Sequence, residues 1–304
     1  MSIERRNHPE PPPEDCYVYL NDRLVNKKDA VVSVYDHGFL YGDGIYETMR
    51  VYNGNVFMFD KHLERLSRSA DLIALALPKK IEDIKTAVYE TLKANGHPEA
   101  SVRISVTRGY GEVGLDPDLC VSPTLVIMVH RFKEYPKLFR EKGVKVMISE
   151  TRRNYRRALN PEIKSHNFLN NILARIEAKK GDYFEAIMLN YEELLAEGTV
   201  SNIFFIKNGE LFTPSVDVGI LDGVTRDIII RLAGKLGLGV REGRFSSDYI
   251  ETADEVFISN SLMEIMPVTV VGDKKVSSGD VGLLTKRLFK AYREQVMAFV
   301  ERVR

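Results

Sequence analysis

Apolar positions recur along this chain with two periods, and the switches between them predict where strands and helices fall. Alternating or β-branched runs at residues 17–20, 31–34, 45–51 and 55–59 read as strands, with turn signals at Asn21-Asp22 and Asn53-Gly54. The period then becomes helical. Leu63, Leu66, Ala70 and Ile73 form one stripe behind Asp60, a candidate N-cap, and the run stops before Pro78. Ile81, Ile84, Val88 and Leu92 form a second stripe that ends at Gly96. Strands at 102–107 and 124–129 follow, after which residues 131–143 turn charged and irregular around Pro136, as a connection between domains would.

Beyond that connection the pattern predicts a strand at 144–149 and a helix over about 166–180. That helix carries Phe168, Leu169, Ile172, Leu173 and Ile176 on one stripe, with Gly181 as its stop. Strands at 186–189, 200–206 and 210–213 come next, the last two joined by the hairpin signal Asn208-Gly209. A helix at 226–236, a strand at 255–259, a hairpin about Gly272-Asp273 and a long amphipathic C-terminal helix complete the chain. No internal repeat is present. Runs of strands interrupted by a few helices, without strict βαβ alternation, imply an α+β fold in two domains. The expected division is an extended tail at 1–16, a small α+β domain at 17–130, a loop at 131–143 and a large domain at 144–304. Pro9, Pro11, Pro12 and Pro13 suit the tail to an extended form.

Composition narrows the partners. In 304 residues, Lys+Arg and Asp+Glu both number 43, so no global field draws nucleic acid or an anionic membrane, and a small molecule is the better expectation. Cys16 and Cys120 cannot build a disulfide framework, and neither sits in a metal-binding spacing; a reducing cytoplasm is expected, and no metal. No apolar run approaches the length of a membrane span, and the N-terminus lacks a signal peptide's apolar core.

Three segments carry chemistry. The first is Glu162-Ile-Lys-Ser-His-Asn-Phe-Leu, with Lys164 just after Asn160-Pro161; the second is Glu197-Gly-Thr-Val-Ser-Asn202; the third is Gly223-Val-Thr-Arg-Asp227 at a helix start. Taken singly each has an ordinary reading: a solvated lysine, a turn carboxylate, a capped helix. Together they supply an amine, a carboxylate and an anion-binding helix start. Pyridoxal 5′-phosphate needs all three, for its aldehyde, its ring nitrogen and its phosphate. Ser261, in a turn after the 255–259 strand, and Arg65, on the first helix, offer further donors, although an exposed helical arginine is usually a solvated charge. The glycines of Gly38-Phe-Leu-Tyr-Gly-Asp-Gly44 match neither a Walker loop nor a dinucleotide fingerprint. His37 and His62 are too isolated to argue for metal, and no Gly-x-Ser-x-Gly elbow occurs.

With Asp36-His-Gly-Phe-Leu-Tyr-Gly-Asp-Gly-Ile-Tyr-Glu47, the Arg65 segment, Ile163-Lys-Ser165, Glu197-x4-Asn202, Gly223-x-Thr-Arg226 and Ser259-x4-Glu264-Ile-x-Pro267, the chain resembles the fold-type IV pyridoxal-phosphate enzymes over roughly residues 17–290. These are the class IV aminotransferases, with a D-amino acid aminotransferase-like fold, and the likeness is greatest to the branched-chain amino acid aminotransferases. The resemblance implies that Lys164 is the Schiff-base lysine and general base, and that Glu197 partners the pyridine nitrogen. It makes Arg65, Val224, Thr225 and Ser261 the phosphate ligands, in a homodimer or a multiple of dimers. Phe39, Tyr41, Tyr46, Leu262 and Met263 become candidate substrate walls, with Arg103 or Arg50 a carboxylate partner. The implied reaction passes an amino group from L-leucine, L-isoleucine or L-valine to 2-oxoglutarate. Two positions depart from the branched-chain pattern: Phe168 and Ser101 stand where tyrosines are common. D-amino acid transaminases share Ile-Lys-Ser, and aminodeoxychorismate lyases share a turn similar to Asn260-Ser-Leu-Met263, so both activities are alternatives.

Overall fold

The structure, a computed structural model, describes residues 16–302; most of the expected tail, residues 1–15, lies outside that range. One sheet comprises β1 (Tyr17–Leu20), β2 (Arg23–Asn26), β3 (Gly44–Tyr52), β4 (Asn55–Val56), β5 (Ala100–Gly111) and β6 (Cys120–Arg131). It is antiparallel throughout, in the order β2-β1-β6-β5-β3-β4. A short helix α1 (His37–Tyr41) precedes β3, and α2 (Phe59–Leu72) and α3 (Ile81–Asn95) pack on the sheet. The helical stripes explain how. Leu63 and Leu66 of α2 and Ile84 and Val88 of α3 bury against Ile45, Met49, Ile104 and Ile127, each such side chain contributing about 1.5–3 kcal/mol when fully buried.

After β6 the chain forms α4 (Lys137–Lys142), β7 (Val144–Ile148), α5 (Leu169–Lys180), β8 (Glu185–Leu189), β9 (Leu195–Gly198), β10 (Asn202–Lys207), β11 (Glu210–Pro214), α6 (Val224–Lys235), β12 (Val240–Gly243), α7 (Asp248–Glu251), β13 (Glu255–Asn260), β14 (Glu264–Val271), β15 (Lys274–Lys275) and α8 (Leu283–Arg302). These strands make a second, mixed sheet in the order β12-β11-β10-β13-β14-β7-β8-β9, with β15 on β14. Both of its faces are covered. Ile203 and Phe205 of β10 point into a core with Val146, Ile258 and Met266. Phe204 and Ile206 point the opposite way, against Ile228 and Ile229 of α6 and Leu288, Tyr292 and Val296 of α8. Tyr52 and Phe57, from either side of β4, join that second core, so the two sheets share packed side chains. The architecture is α+β.

Several expected elements move. Residues 31–34 are not a strand: Val31, Val32 and Val34 are exposed in a loop. The α2 helix starts at Phe59, behind Met58 at φ 54°, and Asp60 lies inside its first turn without capping it. Residues 131–143 contain α4 where an irregular connection was expected. The strand expected from residue 200 begins at Asn202, because Gly198–Ser201 turn around the buried Glu185 carboxylate, which accepts from Thr199 Oγ1 and Ser201 Oγ. The helix expected from 166 begins at Leu169 and is oriented against its apolar stripe: Leu169, Ile172, Leu173 and Ile176 are exposed, while Asn171, Ala174 and Ala178 are buried. Small alanines let the α5 backbone approach Ala186 and Met188 of β8 closely.

Candidate active site

A cavity of about 510 Å³ opens between the two sheets, lined from one side by β3, α2 and β5 and from the other by the segments at 153–172, 197–202, 221–225 and 259–262. Lys164 reaches it from an irregular loop that is nevertheless fixed. Tyr46 N–H donates to Lys164 O at 2.9 Å, His166 N–H to Gly44 O at 2.9 Å, and Lys164 N–H to Ser69 Oγ at 3.2 Å, so the loop bridges to the start of β3. Its Nζ donates to the Tyr46 hydroxyl at 3.2 Å and stands 4.4 Å from the centre of that ring. The other cation on Tyr46 is Arg103, whose guanidinium lies 3.9 Å from the ring centre. Arg103 lines the cavity, donates to Ser105 Oγ at 3.3 Å and forms no ion pair within 4 Å among the described residues. Burial makes its charged form less favourable, with Tyr46 opposing that effect.

Glu197 stands one residue before the end of β9 and lines the cavity. Oε1 accepts from Arg153 Nε at 2.7 Å, and Oε2 from Leu221 N–H at 3.1 Å and Asn202 Nδ2 at 3.4 Å. Burial pushes this carboxyl above the usual range; Arg153, the Leu221 amide and the Lys164 charge pull it partly back. Asn202 also donates to Leu221 O at 3.0 Å, tying β10 to the loop before α6.

That loop delivers the helix start. Gly223 is the N-cap of α6 and offers no side-chain cap, leaving the first turn without one where Gly223, Val224 and Thr225 line the cavity. Close approach favours glycine here: a Cβ on Gly223 would lie 2.0 Å from Asn202 Oδ1, so that side chain or the turn would have to shift. Opposite, Ser261 sits in a turn that Asn260 Oδ1 holds by accepting from Leu262 and Met263 N–H at 2.9 and 2.8 Å. Arg65 is 4% exposed and donates Nη1 to Asp222 O at 2.9 Å. Its Nε and Nη2 meet both oxygens of Glu47 at 2.7 and 2.8 Å. Burial alone would raise the Glu47 carboxyl, but Arg65 and His62 against it hold it well below the ordinary range. His62 Nδ1 meets Glu47 Oε2 at 2.8 Å and its Nε2 lies 3.5 Å from Ser261 Oγ. The Ser259 hydroxyl, on the same cavity wall, is buried and has no hydrogen-bond partner.

Lys164, Glu197, Arg65, Val224, Thr225, Ser261, Tyr46, Arg103 and Leu262 therefore meet on one cavity. Four expected wall or carboxylate residues do not. Phe39 is 72% exposed on α1, away from the lining. Tyr41 is turned aside, stacking edge-on to His37 and accepting from Gly114 N–H at 3.0 Å. Met263 is drawn into the second-sheet core because the turn reverses direction after Leu262. Arg50 is used structurally, donating to Val51 O, Ala100 O and Glu99 while lying over Phe132. Sequence reasoning missed Arg153, Glu47, His62 and Ser259. The spacing His62-x-x-Arg65, one helical turn, was the available signal for His62; nothing local marked Arg153, which meets Glu197 only through the fold.

Residues 44–271 match the family described as Amino-transferase class IV, and the chain belongs to that family. It is 40% identical over 277 residues to the "Putative branched-chain-amino-acid aminotransferase" of Methanocaldococcus jannaschii, covering 91% of this chain and 95% of the relative. Two further relatives, each covering 92% of this chain, are the aminodeoxychorismate lyase of Bacillus subtilis and the D-alanine aminotransferase of Listeria innocua. Both are 35% identical, over 94% and 96% of their own lengths. Among solved structures, the branched-chain amino acid aminotransferase of Thermobaculum terrenum in its PLP-form superposes with a TM-score of 0.82 at 28% identity, over 93% of this chain and 94% of that one.

Proposed function

We propose that this chain binds pyridoxal 5′-phosphate and transfers the amino group of L-leucine, L-isoleucine or L-valine to 2-oxoglutarate, giving a branched 2-keto acid and glutamate. The observation that carries this reading is the meeting of Lys164, Glu197 and an uncapped helix start on one cavity. The residues fit the cofactor: an amine, a buried carboxylate, first-turn amides with Arg65 and Ser261, and the unpartnered Ser259 hydroxyl match its aldehyde, ring nitrogen and oxygens in type. When bound, the cofactor supplies an electron-accepting ring that stabilises the charge left at the substrate α-carbon once its proton departs.

Lys164 would hold the cofactor through its amine, and its Nζ would take and return the substrate α-proton. The Tyr46 hydroxyl, accepting from Nζ, orients that amine. Glu197 keeps a proton at the ring nitrogen, and Arg153 fixes the carboxylate that does so. Arg65, Ser261 and the Val224 and Thr225 amides bind the phosphate. Leu159, Ile163, Ile172, Val200, Leu221 and Leu262 give the wall an apolar part for a branched side chain, and Arg103, with no carboxylate beside it among the described residues, receives that of the substrate.

The likeness to D-alanine aminotransferase, with Phe168 lacking a hydroxyl, keeps a second reading in which the donor has the opposite hand. A panel of L- and D-amino acids with 2-oxoglutarate, read as glutamate formed, tests both; aminodeoxychorismate, read as pyruvate released, tests the lyase. Leucine, isoleucine and valine in L form are expected to lead, and preference for a D substrate would reverse the assignment. Lys164→Ala should lower turnover by at least about a thousandfold, and a near wild-type rate would refute the amine's role. We further assign residues 17–130 and 144–304 to two domains and propose a cytoplasmic homodimer; the apolar α5 face that one chain leaves exposed supports the pairing of two copies.

A further inference from the structure

We propose that His62 is a positioning residue that takes up one proton when a phosphate monoester enters the Arg65 pocket, so that its imidazolium supplies the positive charge and donor polarity the pocket otherwise lacks. This rests on the cofactor reading above and adds to it a proton that travels with the phosphate.

Arg65 is an unusual anion receptor because its charge is already matched. Glu47 is wholly buried and meets the guanidinium through both oxygens, at 2.7 and 2.8 Å, while the remaining Nη1 donates to Asp222 O at 2.9 Å. The pair carries no net charge, and a dianion placed beside it would meet first-turn amides but little uncompensated cation.

Polarity at Ser261 makes the same point independently. An ionised carboxylate only accepts, so His62 Nδ1, 2.8 Å from Glu47 Oε2, carries a hydrogen. In a neutral ring Nε2 is then a lone pair, 3.5 Å from Ser261 Oγ. A lone pair there takes the hydroxyl's single proton and leaves Ser261 presenting only lone pairs to the cavity, which repels an anion. Protonated at Nε2, the ring donates to Ser261 Oγ and the hydroxyl proton is free to face the phosphate. The balance is one proton from solvent per phosphate bound, changing the Glu47, Arg65 and His62 group from neutral to a charge of plus one.

The surrounding charges suit a group that changes state. The charged groups acting on the ring are Glu47 from β3, Arg65 one turn further along α2 and Lys164 from the facing loop. Burial, Arg65 and Lys164 together outweigh Glu47 and hold the imidazole below its ordinary value when no anion is present. A phosphate dianion shifts that balance toward the charged form.

The test uses the full chain loaded with pyridoxal phosphate and labelled with 15N-histidine. One imidazole should still show both ring nitrogens protonated at about pH 8, well above the ordinary histidine value of about 6.5. That resonance should be absent in His62→Gln. Should that variant fail to fold, Ser261→Ala assigns the same resonance by shifting it. A loaded enzyme whose His62 is neutral at that pH overturns the proposal. The 31P resonance of the bound cofactor separates this from a failure of the site reading: it should shift in Arg65→Met, and a phosphate insensitive to that change would lie elsewhere, removing the site and the proposal together.

Discussion

Glu197 is enclosed yet faces a cavity, so its carboxylate exchanges hydration for three donors and keeps a raised proton affinity from burial. Glu197→Gln preserves the shape and removes the charge. The variant should retain cofactor while α-proton removal slows by roughly 10²–10⁴-fold, measured in a single turnover with α-deuterated substrate; unaltered kinetics would exclude a role at the ring nitrogen. His166 gives a second prediction at this scale. Burial, then Arg103, push its imidazole from 6.5 down to about 4, with Asp36 pulling weakly the other way. Between those values the unfolded chain binds a proton that the folded chain refuses. Stability from this group is therefore full above about pH 6.5 and falls as pH drops toward 4, by up to about 3 kcal/mol. Denaturation midpoints at about pH 7 and pH 5 should diverge less in His166→Gln than in wild type; an equal loss would show that the ring titrates normally.

The start of α6 shows how an element turns a residue type into a site. Gly223 is needed less for backbone freedom, since its φ is −76°, than for the space that Asn202 Oδ1 occupies. Gly223→Ala should displace the helix start or the Asn202 side chain, destabilise the fold by about 1–3 kcal/mol and weaken cofactor retention. Paired denaturant melts and dialysis of the loaded enzyme would read both, and unchanged retention would remove the first-turn amides from the phosphate site. Elements were legible where one face meets one core: the Leu63, Leu66 and Ala70 stripe gave α2 its orientation because its opposite face is polar. The α5 stripe was legible as a helix and misleading as to direction. There, Ala174 and Ala178 let the backbone approach β8, and the larger apolar side chains were left outside.

Across the assembled chain, that outward face is the prediction. Leu169, Ile172, Leu173 and Ile176 lie at helical spacing on one side of α5 with exposures of 70, 50, 48 and 45%. In the homodimer proposed above, a second copy of the chain would cover this apolar surface, which a lone subunit leaves wet. Leu173→Glu should shift the mass seen by light scattering from dimer toward monomer, and an unchanged dimer would place the interface elsewhere. The class of the molecule and its chemical parts are legible in the sequence alone. An ordered set of short motifs with Lys164, Glu197 and Gly223 records which side chains and turns are needed, and hydrophobic period records which segments are strands or helices. Which of these parts meet was settled by packing. Folding set Tyr46 against Lys164, Arg153 against Glu197 and Glu47 against Arg65, and it removed Phe39, Tyr41, Arg50 and Met263 from the cavity. The reason is physical: local pattern encodes backbone conformation and burial, whereas a buried charge finds its partner through space, across segments far apart in the chain.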